Sequence, residues 1–69
     1  MKYYMTQRPP MPGAMPRAGL VEIEEFDGRV YCKEIMREAY ARLTYDRELT
    51  KQEIYDYELV PESHIGMEV

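Results

Sequence analysis

The stretch Val30-Tyr31-Cys32-Lys33-Glu34-Ile35-Met36-Arg37-Glu38-Ala39-Tyr40-Ala41-Arg42-Leu43-Thr44-Tyr45 decides the fold, because it satisfies two periodicities at once. Read from its start, Cys32, Ile35, Met36, Ala39, Tyr40 and Leu43 recur three and four residues apart. That spacing collects them on one side of a helix, with Lys33, Glu34, Arg37 and Glu38 elsewhere. Read from its end, Ala41, Leu43 and Tyr45 alternate with Arg42, Thr44 and Asp46 as on a half-buried strand. No glycine or proline separates the two patterns. The longer one predicts an amphipathic helix from about Val30, with a strand at about 41–46 behind it.

Upstream, Leu20 to Phe26 alternates Val21 and Ile23 with Glu22 and Glu24 and predicts a strand. Asp27-Gly28 after it is a turn signal that either closes a tight hairpin with Arg29 to Cys32 or launches the helix. Lys2 to Gln7 is rich in strand formers and stops at Pro9. The two strands are expected to pair across the segment between them. That segment, 8–19, holds Pro9, Pro10, Pro12, Pro16, Gly13 and Gly19. Proline fixes φ and removes a donor, so it is read as a stiff, extended loop whose Met11 and Met15 pack back on the domain.

Downstream, Thr50-Lys51-Gln52-Glu53 is a capping box, with Leu49 and Ile54 at the two staple positions. The helix it opens is short, because Tyr57 to Val60 reads as a last strand that Pro61 stops. The expected architecture is α+β: a small antiparallel sheet of about three or four strands with one amphipathic helix and one short capped helix. A single domain spans 1–61, and 62–69 is read as a tail.

The chain has 69 residues, enough for one thin core. Its net charge of −4 is unevenly placed. Lys2, Arg8 and Arg17 make residues 1–19 a cationic arm without an acid, whereas six basic and thirteen acidic side chains occupy the rest. An acidic body argues against nucleic acid as a partner, since that affinity comes from neutralising several phosphates together. The run Glu22, Glu24, Glu25 and Asp27 is read as an acidic face for a protein that handles nucleic acid, or as solvated surface.

No catalytic, cofactor-binding or metal-binding residue is expected. The one histidine, His64, stands far along the chain from the one cysteine, Cys32, and a nucleophile needs a base beside it. Cys32 has no partner for an internal disulfide and reads as a small buried hydrophobe. The acids lack the spacing of a calcium loop, and no glycine-rich loop cradles phosphate. Met1-Lys2 leads into tyrosines rather than an apolar leader, so the chain is expected in the cytoplasm with no membrane partner.

Seven tyrosines in so short a chain supply both core and contact surface. On a strand Tyr3 and Tyr4 point to opposite faces, so one of them is expected to face outward beside the loop. The expected protein-binding residues are Tyr3, Tyr4, Arg8, Arg17, Glu22, Glu24, Glu25 and Asp27. A homodimer is also expected, because a small domain with a strand edge leaves apolar surface to cover.

The opening Tyr3-Tyr4-Met5-Thr6-Gln7-Arg8-Pro9-Pro10-Met11-Pro12-Gly13 recurs in a family, as do Phe26-Asp27-x-Arg29, Tyr45-Asp46-x-x-Leu49-Thr50 and Tyr57-Glu58-Leu59-Val60-Pro61. Over residues 1–61 the chain resembles small proteins carried on conjugative and other mobile elements of gut-type bacteria. They are related to domains appended to large polyvalent proteins. The resemblance implies a setting of transfer, regulation or protection from host defence, and carries no catalytic residues. The function expected is a non-enzymatic protein-interaction module of a mobile element, meeting a nucleic-acid-handling or host-defence protein. The alternatives are a nucleic-acid-binding accessory that uses the cationic arm with Tyr3 or Tyr4 as a stacking platform, or a self-associating structural unit.

Overall fold

Residues 30–45 form no helix: they are the end of one strand, a turn and the whole of the next. The computed structural model describes residues 1–62. Along them run β1 (Lys2–Met5), β2 (Leu20–Cys32), β3 (Arg37–Tyr45), α1 (Lys51–Asp56) and β4 (Leu59–Pro61). Every neighbouring pair is antiparallel, in the order β2-β3-β1-β4. The α+β expectation with a long amphipathic helix is thus corrected to a small, sheet-dominated fold whose described residues hold one short helix. His64 and the rest of the expected tail from residue 63 onward lie outside the described residues.

The strand period wins because it is the better burial solution. Ala39, Ala41, Leu43 and Tyr45 are each 0–1% exposed, whereas the helical reading also needed Met36 inside, and Met36 is 62% exposed in the turn. In the sheet, β3 has a neighbour on both sides, so its backbone groups are satisfied while β1 and β2 gain partners they would otherwise lack. Reversal at the turn uses Ile35 N–H to the Cys32 carbonyl (3.2 Å) and Met36 N–H to the Lys33 carbonyl (3.3 Å), with Met36 left-handed at φ 55°.

Asp27-Gly28 neither closes a hairpin nor starts a helix. It lies inside β2, where the register jumps from Glu25↔Ala41 to Val30↔Ala39, so Phe26 to Arg29 stand opposite Tyr40 alone. Gly28, at φ +82°, supplies the backbone geometry that such a bulge requires. The expected pairing of β1 with β2 is also corrected, since β3 lies between them. A long loop lets β2 travel to the far side of the hairpin partner.

Alternation along β1 sends Tyr3 and Met5 to one face and Tyr4 to the other. On the first face they pack with Ala41, Leu43, Tyr45 and Leu59, beneath a lid of Ala14 and Met15 from the loop and Leu49, Ile54 and Tyr57 from the helical segment. On the second face Tyr4 and Val60 gather with Cys32, Ile35 and Ala39 from the far end of the hairpin. The loop is shaped by two turns. Ala14 N–H bonds the Met11 carbonyl across Pro12-Gly13, and Leu20 N–H bonds the Arg17 carbonyl across Ala18-Gly19. Each has glycine at a positive φ in its third position, the requirement of a type II turn. As expected, Met15 is buried under the loop, but Met11 is 52% exposed.

The capping box is present in both directions. Thr50 Oγ1 accepts from Glu53 N–H at 3.1 Å, and a Glu53 carboxylate oxygen accepts from Thr50 N–H at 2.9 Å. Leu49 and Ile54 both reach the first core, as staple residues should.

Candidate interaction surface

Strand order leaves β2, with thirteen residues, bordered only by β3. Among the described residues its other side has no strand neighbour. Val21, Ile23, Val30 and Tyr31 along it are 43–63% exposed, and Glu22, Glu24, Glu25 and Asp27 are exposed with them. The sequence pointed to the acids but not to the aliphatic residues between them. Val21 and Ile23 looked like the buried side of a strand because alternation says which residues share a face, not whether that face is covered.

The four acids do not form one face. Glu22 and Glu24 stand opposite Thr44 and Arg42, on the side of the sheet that carries Tyr4. Ile23 and Glu25 stand opposite Leu43 and Ala41, on the side of Tyr3. Asp27 belongs to the bulge. Glu24 is ion-paired with Arg42, whose guanidinium also lies 3.6 Å from Glu34. The hydrogen bond that Arg42 donates to Glu24 raises the Arg42 pKa, so this cation stays charged. Among the described residues Glu22, Glu25 and Asp27 make no ion pair.

Where the loop passes over the first face it leaves a groove of about 480 Å³ beside β2. Pro10, Met11, Pro12 and Met15 form the loop wall, Leu20 and Ile23 the strand wall, and Arg17 and Glu25 add one charge of each sign. The type II turn across Pro12-Gly13 lies within the loop wall. A second hollow, of about 690 Å³, lies beside α1 with Thr6, Arg37, Ile54 and Tyr55 among its lining residues.

Of the expected contact residues, Arg17 is exposed at the groove, and Arg8 is half-buried in an ion pair with Glu58. Tyr3 and Tyr4 do take opposite faces, but neither is outward. They are 4% and 1% exposed. The expectation of an exposed tyrosine fails because both sheet faces are covered at β1, one by the loop and the other by the curled end of the hairpin. The Tyr3 hydroxyl accepts from Leu49 N–H at 2.9 Å, and the Tyr4 hydroxyl donates to Glu62 at 2.9 Å. Burial pushes the Tyr4 hydroxyl pKa up to about 12. Cys32 is buried too, and burial raises its thiol pKa. Among the described residues no three of His, Cys, Asp and Glu are grouped to hold a metal ion, and no helix is long and apolar enough to cross a membrane.

The family described as Defence against restriction A C-terminal has a model that matches residues 1–64. The chain belongs to that family. The match agrees with the resemblance to mobile-element proteins at the level of a mobile-element-associated domain. No curated protein and no solved structure matches the chain.

Proposed function

We infer that this chain is a non-enzymatic protein-interaction module by which a mobile element defends itself against restriction, acting in the host cytoplasm. The family supplies the setting, defence against restriction. What carries the interaction reading is the open edge of β2, whose exposed Val21, Ile23, Val30 and Tyr31 lie along an unpaired strand margin. A long open edge with apolar side chains invites another chain, and proteins that do not use such an edge cover or shorten it or blunt it with charge and bulges. Here the opposite edge strand, β4, has only three residues, whereas β2 has thirteen.

The nucleic-acid alternative finds less support. It needed Tyr3 or Tyr4 as a stacking platform, and both are buried. Of the cationic arm, Arg8 is paired with Glu58, while Arg17 is exposed. The reading is tested by moving the element, with and without an intact gene for this chain, into recipients that differ only in possessing a restriction enzyme. Establishment should fall on gene loss in the restricting recipient and stay level in the other. Equal establishment in the restricting recipient, with or without the gene, would remove the reading.

A further inference from the structure

We propose that the β2 edge takes up an extended segment of a partner protein as a fifth strand, and that this segment alternates apolar with basic residues. The proposal rests on the reading of the chain as a protein-interaction module and names the partner's chemistry.

Between its two irregularities, β2 pairs regularly with β3 from Glu22↔Thr44 to Glu25↔Ala41. Alternate residues of such a run turn their N–H and C=O groups away from their one neighbour. Those groups are a template for an added strand, the main-chain part of strand-addition recognition. The side chains of the added strand would then alternate between the two faces of the sheet.

The two faces ask for different residues. On the Tyr3 side the neighbours are Ile23, which opens onto the groove walled by Met11, Met15 and Leu20, and Glu25 at the end of the run, which shares that groove with Arg17. An apolar side chain there covers aliphatic surface that is otherwise wet, Ile23 being 43% exposed. On the Tyr4 side the neighbours are Glu22 and Glu24, and of these Glu22 makes no ion pair among the described residues. A Lys or Arg there is favoured as a cross-strand pair, and an acid is opposed. The same argument excludes a second copy as the preferred occupant. Edge-to-edge pairing of two β2 strands would set Glu22, Glu24 and Glu25 against acids of their own kind. A phosphate backbone is repelled for the same reason.

The probe is a synthetic peptide of about eight residues, a usual strand length, in which Val and Lys alternate. Controls are the Val/Glu counterpart, an all-Lys peptide of equal length and a single-stranded RNA oligonucleotide. Affinity is measured by fluorescence anisotropy, and amide hydrogen exchange is followed at residues 22–25. The expected result is binding of the Val/Lys peptide with slowed exchange at alternate amides of that run. The Val/Glu peptide should bind at least about tenfold more weakly, and Ile23→Glu should weaken the Val/Lys peptide by about tenfold, as loss of an interface anchor does. Unchanged exchange, all-Lys or RNA binding equal to Val/Lys, or no binding at all would overturn strand addition. Should Ile23→Glu fail to fold, the peptide comparisons on the native chain still decide. A restriction-dependent loss of establishment without peptide binding removes this inference and leaves the functional reading standing. The converse result removes the reading alone.

Discussion

Arg47 grips the Glu53 carboxylate with both terminal guanidinium nitrogens, at 3.0 Å to Oε1 and 2.9 Å to Oε2, while its Nε donates to the Ala18 carbonyl at 2.8 Å. One side chain thereby ties the end of the Pro/Gly loop to the start of α1. Glu53 is shared between this fork and the capping box, since its Oε1 also accepts from Thr50 N–H.

The Arg47 hydrogen bonds, then the Thr50 backbone amide, pull the Glu53 pKa from an ordinary 4.5 to about 2. A carboxylate with a depressed folded pKa contributes stability that is present above the unfolded value and is lost as pH falls through the folded one. Glu53 should therefore contribute above about pH 4.5 and cease to do so near pH 2. Glu53→Gln keeps an acceptor for Thr50 but cannot titrate. The gap in urea midpoint between the native chain and this variant should be constant above pH 4.5 and close toward pH 2. A gap that does not change over this window would show that the fork contributes nothing through charge.

Among the described residues Gly19 is the one glycine whose missing side chain meets a neighbour. A Cβ there would lie 2.7 Å from Asp46 Oδ1 and 3.0 Å from Arg47 Cγ, at φ +81°. Asp46 N–H also bonds the Gly19 carbonyl at 2.9 Å, so this turn is fastened to the end of β3. Gly19→Ala should cost about 1–3 kcal/mol, the scale of a non-glycine residue forced into that region. Gly13→Ala has the same backbone strain, with φ +84°, but nothing within 4 Å of the added carbon. Gly19→Ala should accordingly be the more destabilising of the two in denaturant melts. The reverse order would mean that strain alone sets the cost.

How far the sequence was legible follows from the range of the interactions involved. The capping box at Thr50 and Glu53 closes within four residues, and it stands in the structure as read. The strands at Lys2–Met5 and Leu59–Pro61 were also within reach, because Pro9 and Pro61 mark where they must stop. Residues 30–40 misled because Ile35, Met36 and Ala39 fit a helix locally, whereas Ala39 pairs with Val30 of β2, Ile35 packs in one cluster with Tyr4, and Met36 stands exposed in the turn. Non-local pairing of that kind overrides local period. The interaction surface was half legible. Glu22, Glu24, Glu25 and Asp27 were visible as charge, but that Tyr3 would be covered depends on where a loop of low local preference comes to rest, and that Tyr4 would be covered depends on the far end of the hairpin.

Tyr45 anchors that loop from below. Its hydroxyl donates to the Pro16 carbonyl at 2.6 Å, and its ring stands edge-on to Tyr3 at 5.8 Å. Tyr45→Phe keeps the ring contact and leaves a buried carbonyl without its donor, which should cost about 1–3 kcal/mol. Burial pushes the Tyr45 hydroxyl from 10.0 up to about 12. A raised folded pKa gives stability that is complete below pH 10 and is lost as pH rises toward 12. The native chain should lose stability over that alkaline window more steeply than Tyr45→Phe. Equal slopes would mean that the hydroxyl is as free to ionise in the folded chain as in the unfolded one.

The acids on β2 have a second consequence, for association between copies. An open strand margin bearing Val21, Ile23, Val30 and Tyr31 would pair with itself if nothing opposed it. Glu22, Glu24 and Glu25 lie along the regular run that an edge-to-edge dimer would use, so such a dimer brings like charges opposite one another. The repulsion between exposed charges is screened beyond about 8 Å at physiological salt, so it weakens as salt is added but persists for directly opposed pairs. Replacing Glu22, Glu24 and Glu25 together by Thr keeps strand propensity and removes the opposition. Sedimentation equilibrium should show the triple variant associating at lower concentration than the native chain, with the difference largest at low ionic strength. If both have the same mass across concentration and salt, the acids do not guard this edge. Its openness must then be limited by the bulges at Val21 and at Phe26 to Arg29 instead.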